Sequence, residues 1–130
     1  GKTHLSLAIA NVVVEKGFEV IYGSAQNLLS SLEREKFGGG SGEREKELLD
    51  CDLLIIDDLG SEFSTQFTVA CIYNIINTRI NLGKPVIIST NLTGEELEAK
   101  YTQRITSRII GSYVSLLFIG KDIRQLKKFY

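Results

Sequence analysis

The sequence carries almost no surplus of charge: fifteen Lys and Arg against sixteen Asp and Glu leave a formal net charge of −1. No overall basic field advertises a nucleic-acid binder, so contact with DNA would have to come from a local patch. Cysteine is scarce too. Cys51 and Cys71 stand in or beside apolar runs and are not spaced like metal ligands. They read as buried thiols of a reducing cytosol rather than a disulfide, which makes the expected location cytoplasmic. No apolar run approaches the roughly 20 residues that a membrane span needs, and the opening residues have no signal-peptide pattern. What remains is 130 residues, 43% hydrophobic and 24% charged. That is room for one domain with a real core but not for two, and it is not the composition of a disordered chain.

The most informative stretch is Leu53-Leu54-Ile55-Ile56-Asp57-Asp58-Leu59-Gly60. Four aliphatic residues in a row, ended by polar ones, predict a strand buried on both faces, as inside a parallel sheet. The two carboxylates then sit at its C-terminal end, the edge where open α/β sheets bind ligands. A metal or hydrolytic site is one reading; capping of the next helix is the other.

The chain opens Gly1-Lys2-Thr3-His4-Leu5, and Leu5, Ala8, Ile9, Val12 and Val13 recur at helical spacing up to Gly17, a natural C-cap. Gly-Lys-Thr therefore begins a helix. Lys and a hydroxyl at a helix N-terminus are the last positions of the phosphate-binding loop G-x-x-x-x-G-K-[ST]. In that role Lys2 reaches the β- and γ-phosphates and Thr3 ligates Mg²⁺. The aliphatic run ending in Asp57 supplies an independent second half, the carboxylate for the same ion.

Residues 18–23 read as a short strand, with Ser24 capping a helix whose apolar stripe is Ala25, Leu28, Leu29 and Leu32. The glycine-rich loop 37–42 follows and is expected to be mobile, then a charged helical turn, 43–47. Ser64 or Thr65 caps a long helix that closes near Gly83. Pro85, the one proline, suits the first residue of the strand Val86-Ile87-Ile88-Ser89-Thr90-Asn91, a second apolar run ending in polar residues. Asn91 is placed either as a turn residue or to orient a water near a γ-phosphate. Thr93 and Glu96 form a capping box. Arg104 and Arg108, four apart, share a helix face, as surface charge or as something more. A last strand, 114–120, and a short basic helix, 121–128, complete the pattern.

Gly-Lys-Thr-His-Leu, Leu-Leu-Ile-Ile-Asp-Asp-Leu-Gly, Ile-Ile-Ser-Thr-Asn-Leu, Arg104-Ile-Thr-Ser-Arg108 and Asp122-Ile123-Arg124, in this order, resemble the AAA+ ATPases of the DnaC/DnaI helicase-loader group and their IstB-type transposition relatives. The resemblance runs nearly end to end. It implies an α/β P-loop NTPase fold with a parallel sheet flanked by helices. It also implies an ATP and Mg²⁺ site with Gly1, Lys2, Thr3 and His4 on the nucleotide, and Thr3 and Asp57 on the metal. Asp58 falls where the family has the acid that polarises the attacking water, and Asn91 at sensor 1. Arg108 matches the arginine finger that reaches a neighbouring subunit, with Arg104 beside it, and Arg124 matches sensor 2. Such residue types suit phosphoryl transfer, which is mostly positioning and charge stabilisation.

The implied function is ATP-dependent loading of a replicative helicase onto DNA, with single-stranded DNA on the inner helices and self-association through the Arg108 face. An IstB-like transposition helper and a nucleotide-gated binding module that hardly hydrolyses ATP are the alternatives. Asp58 is one methylene shorter than the usual Glu, which predicts slow hydrolysis suited to a switch. Measured against the family, residues 1–130 form a partial core. The upstream glycines, the strand before them and an N-terminal partner-binding domain are expected to be absent, and the lid domain reduced or absent. The missing strand would leave an edge beside the Asn91 strand exposed or filled by another element. Weak ATP binding by this chain alone is therefore expected.

Overall fold

A computed structural model of the protein describes residues 2–113. Gly1, the expected last strand 114–120, the basic helix 121–128 and Arg124 lie outside the described residues. In chain order the elements are α1 (Lys2–Glu15), β1 (Val20–Ser24), α2 (Ala25–Phe37), α3 (Glu43–Asp50), β2 (Leu53–Leu59), α4 (Gln66–Asn81), β3 (Val86–Thr90), α5 (Gly94–Lys100) and α6 (Gln103–Ser112). The described strands form one parallel sheet in the order β1-β2-β3. As the aliphatic run predicts, β2 is central, and Leu53 to Ile56 are all buried.

The two-residue period of a strand divides β2 between two layers. Leu54 and Ile56 point into a large core with Leu28, Leu29 and Leu32 of α2, Ile72, Ile75 and Ile76 of α4, and Ile105 of α6. Leu53 and Ile55 point the other way, into a small cluster with Ala10 of α1, bordered by Ile9, Val13, Val20, Tyr22 and Ile87. Asp57 shares the parity of Leu53 and Ile55, so the α1 layer is the one that receives its side chain.

Local signals behave as expected at most helix starts. The Ser24 hydroxyl accepts the Asn27 N–H, Thr65 rather than Ser64 caps α4 in a box with Thr68, and Thr93 and Glu96 cap α5 reciprocally. The charged turn after Gly42 extends to a full helix through Asp50, because Leu48 anchors its inner face.

The expected stripe on α1 is only partly correct. Leu5 and Val12 are exposed and Ala8 faces solvent, whereas Ser6 and Ala10 are buried and Ile9 and Val13 half-buried. A helix apolar on nearly all sides offers several stripes at once, and packing on the sheet selects 6, 9, 10 and 13. Arg79 is a second surprise. It is fully buried on α4 and donates to the carbonyls of Leu48 and Cys51 at 3.0 and 2.8 Å and of Pro85 at 2.9 Å. One guanidinium thereby ties the end of α3 to the starts of β2 and β3. No described helix is long and apolar enough to cross a membrane.

Candidate functional site

The C-terminal end of β2 departs from a regular ladder. Ile56 pairs with Ile88 and Leu59 with Thr90, so β2 has one more residue than β3 between those pairs, which is a β-bulge. The extra length is absorbed at Asp58, which takes a left-handed backbone (φ 56°), the only such residue other than Gly among those described. Asp is among the few side chains that tolerate this conformation. Gly60 follows at φ 106°, and a β-carbon there would lie 2.4 Å from a Leu92 methyl, so the exit from the strand requires glycine.

Three hydroxyls converge on Asp57. Thr3, on the first turn of α1, donates to Oδ2 at 2.9 Å, and Tyr22 of β1 donates to the same oxygen at 2.9 Å. Ser89 of β3 donates to Oδ1. Burial alone would raise the Asp57 carboxyl, but the bonds from Ser89, Tyr22 and Thr3, with the Asp58 backbone, outweigh it and hold the acid below its ordinary value. Tyr22 responds in the opposite sense: burial, then its bond to Asp57, raises the phenol.

Beside this cluster the Lys2 ammonium donates to Asn91 Oδ1 at 2.7 Å, while the Asn91 amide reaches Asp58 Oδ1 at 3.5 Å. Lys2, Thr3, Asp57, Asp58 and Asn91 therefore meet at one sheet edge, drawn from three elements. His4 is on the same turn of α1, exposed. The free N–H groups and dipole of the α1 N-terminus, with Lys2, favour an anion. Thr3 and Asp57 offer hard oxygen ligands, and no cluster of three or more His, Cys, Asp or Glu encloses a metal among the described residues. One carboxylate and one hydroxyl suit Mg²⁺, which keeps few protein ligands and shares the rest with phosphates.

Two predicted residues are not brought to this edge. On α6, Arg108 donates to Asn77 and Asn81 of α4 at 2.6 and 3.0 Å, and Arg104 lies over the Tyr73 ring at 4.3 Å. Both lean on α4, where the Arg108 Nε is buried without a hydrogen-bond partner among the described residues. Sequence reasoning missed Tyr22 and Ser89. Their parity matches Val20 and Ile87 of the α1 layer, yet only the register pairing Ser24 with Asp57 shows that they flank it. The loop after Gly60 is pinned as well. Buried Glu62 accepts the Gly60 N–H at 2.9 Å and the Tyr101 hydroxyl, and Lys100 donates to the Gly60 carbonyl at 2.6 Å. Burial and then the Glu62 carboxylate raise the Tyr101 phenol.

A family model described as "IstB-like ATP binding protein" matches residues 1–115. An uncharacterised Escherichia coli K12 protein, YdaV, is 31% identical over 110 residues, which are 84% of this chain and 44% of that protein. The replicative helicase loader DnaC of the same strain is 26% identical over 121 residues, 91% of this chain and 49% of DnaC. The chain thus spans less than half the length of either relative. Among solved structures, the DnaC helicase loader superposes with a TM-score of 0.77 at 27% identity, covering 86% of this chain and 68% of that one. The replication initiator DnaA bound to AMPPCP and single-stranded DNA gives 0.79 at 28%, covering 86% and 35%.

Proposed function

The chain belongs to the IstB-like ATP-binding proteins and has the AAA+ P-loop fold, and on that premise we propose that it binds ATP with Mg²⁺ at the β2 edge and acts in loading a replicative helicase onto DNA. The observation that carries the nucleotide reading is the meeting of the first turn of α1 with residues far along the chain, Thr3 with Asp57 and Lys2 with Asn91.

Lys2 exchanges Asn91 for a phosphate oxygen when nucleotide enters, and the α1 N–H groups hold the anion. Thr3 and Asp57 would hold Mg²⁺, which when bound would supply charge neutralisation for the phosphates. Asp58, aimed from the left-handed turn and steadied by Asn91, orients the attacking water. Arg108 acts on a second copy of the chain. Its two described partners are neutral amides, so its charge remains available to a phosphate across an interface. Slow hydrolysis fits a switch in which ATP holds an assembly together. Support for a single-stranded DNA partner comes from the likeness to DnaA bound to AMPPCP and single-stranded DNA, and the exposed Phe37, packed on Phe67, offers an aromatic face on which a base could stack. The family description also supports a second reading, a transposition helper with the same ATPase core and a different partner.

ATP turnover with and without single-stranded DNA tests the proposal, together with capture of a replicative helicase. Arg108→Ala is expected to cut turnover by about 10³ while leaving ATP affinity intact. Unchanged turnover would remove the trans role of Arg108.

A further inference from the structure

Ser89 interrupts an aliphatic run, Val86-Ile87-Ile88, at a position whose side chain faces the α1 layer and is 6% exposed. A hydroxyl placed there needs partners, because a buried polar group left unbonded is costly. It has two, and they belong to the two neighbouring acids. The Asp58 N–H donates to Ser89 Oγ at 2.9 Å, and the Ser89 proton goes to Asp57 Oδ1.

The bulge explains why this bond exists. Where β2 has one residue too many, the Asp58 N–H loses its regular place in the ladder, and the Ser89 oxygen takes it. With that lone pair occupied by a donor, the hydroxyl directs its own proton at Asp57. Meanwhile Tyr22 fixes the other carboxylate oxygen from the opposite strand.

We propose that Ser89 is the positioning residue of this site, one hydroxyl that holds Asp58 in its left-handed turn and orients the Asp57 carboxylate toward Mg²⁺, with Tyr22 completing the clamp on Asp57 alone. The inference rests on the reading of this edge as a Mg²⁺–ATP site. Ser89 acts through the two acids, which it bonds directly.

The test compares the wild-type chain with Ser89→Ala, Ser89→Thr and Tyr22→Phe. Amide hydrogen exchange at Asp58 is measured without nucleotide or metal, and ATP affinity is measured in EDTA and across a Mg²⁺ titration. In Ser89→Ala the Asp58 amide exchanges roughly tenfold faster or more. The Mg²⁺ concentration for half-effect rises by about tenfold to a hundredfold, as for the loss of a group that orients a metal ligand. ATP affinity in EDTA stays within about twofold of wild type, because the α1 phosphate cradle is untouched. Ser89→Thr restores both properties, and Tyr22→Phe shifts the Mg²⁺ requirement alone. If the alanine variant does not fold, Ser89→Cys, a weaker donor and acceptor of similar size, is read for the same two changes.

Equal Asp58 exchange in wild type and Ser89→Ala overturns the inference whatever the chain binds. Protection of the amide by Ser89 in a chain whose ATP affinity ignores Mg²⁺ overturns instead the Mg²⁺–ATP reading beneath it.

Discussion

The two faces of the sheet do different work. One face packs Leu54 and Ile56 against α2, α4 and α6 in a large apolar core, while the other packs Leu53 and Ile55 against α1 in a small one. The polar residues at the strand ends, Tyr22, Asp57 and Ser89, all follow the parity of the thin α1 layer. Hydrophobic burial therefore concentrates on one face, and the candidate chemistry on the other. Cooperative folding should depend on the thick layer, and ligand binding on the thin one.

The strongest way to break this division is to hollow out the thick layer. Ile76, 1% exposed on α4, lies well away from the α1 edge. Ile76→Ala should cost about 2–5 kcal/mol of stability in urea unfolding. At temperatures where the variant is still folded, its Mg²⁺–ATP affinity should match wild type. A site that fails in the folded variant would mean that the two layers are not separable.

An intermediate effect sharpens the comparison on the outer surface of the thick layer. Phe37, 71% exposed, contributes little to the core, so Phe37→Ala should leave the melting temperature nearly unchanged. It should weaken single-stranded DNA binding by about 1–3 kcal/mol, the worth of one stacked base, read by fluorescence anisotropy. Undiminished DNA binding would leave that face without its proposed partner.

The smallest effect concerns acid. Because its hydrogen bonds lower the Asp57 carboxyl below 3.8 in the folded chain, Asp57 contributes stability that is present above that value and is lost as pH falls through its folded-state value. Asp57→Asn should lose that contribution at neutral pH, converge on wild type below the folded-state value of Asp57, and so flatten the acid end of a stability-against-pH curve. A variant as stable as wild type at neutral pH, or a stability difference that does not change with pH, would contradict the account of the three hydroxyls.

Much of this site is legible in the amino-acid sequence, for identifiable reasons. The aliphatic run and its terminal acids, the Lys-Thr at a helix start and the Asn after a second apolar run are each local patterns. The parallel sheet then brings their ends to one edge. Tyr22 and Ser89 carry no such local pattern. Their roles depend on strand register, and that of Ser89 depends on a one-residue bulge that nothing in Ile-Ile-Asp-Asp announces. The α1 stripe is ambiguous in the sequence because a helix with apolar residues on nearly all sides has no unique face. Arg79 gives no signal because its partners are main-chain carbonyls from three elements, and sequence patterns record side chains. Arg104 and Arg108 do share a helix face as their spacing predicts, but their contacts with Tyr73, Asn77 and Asn81 belong to tertiary packing.

The central claim is that the thin layer builds a nucleotide site whose metal is held by Thr3 and Asp57. Its most direct test is calorimetric titration of ATP, with and without Mg²⁺, into the wild-type chain and into Lys2→Ala and Asp57→Asn. The account predicts ATP binding that strengthens with Mg²⁺, loss of that gain in Asp57→Asn, and loss of binding in either condition in Lys2→Ala. ATP affinity indifferent to Mg²⁺ in the wild type, or a full Mg²⁺ gain retained without the Asp57 carboxylate, would contradict it.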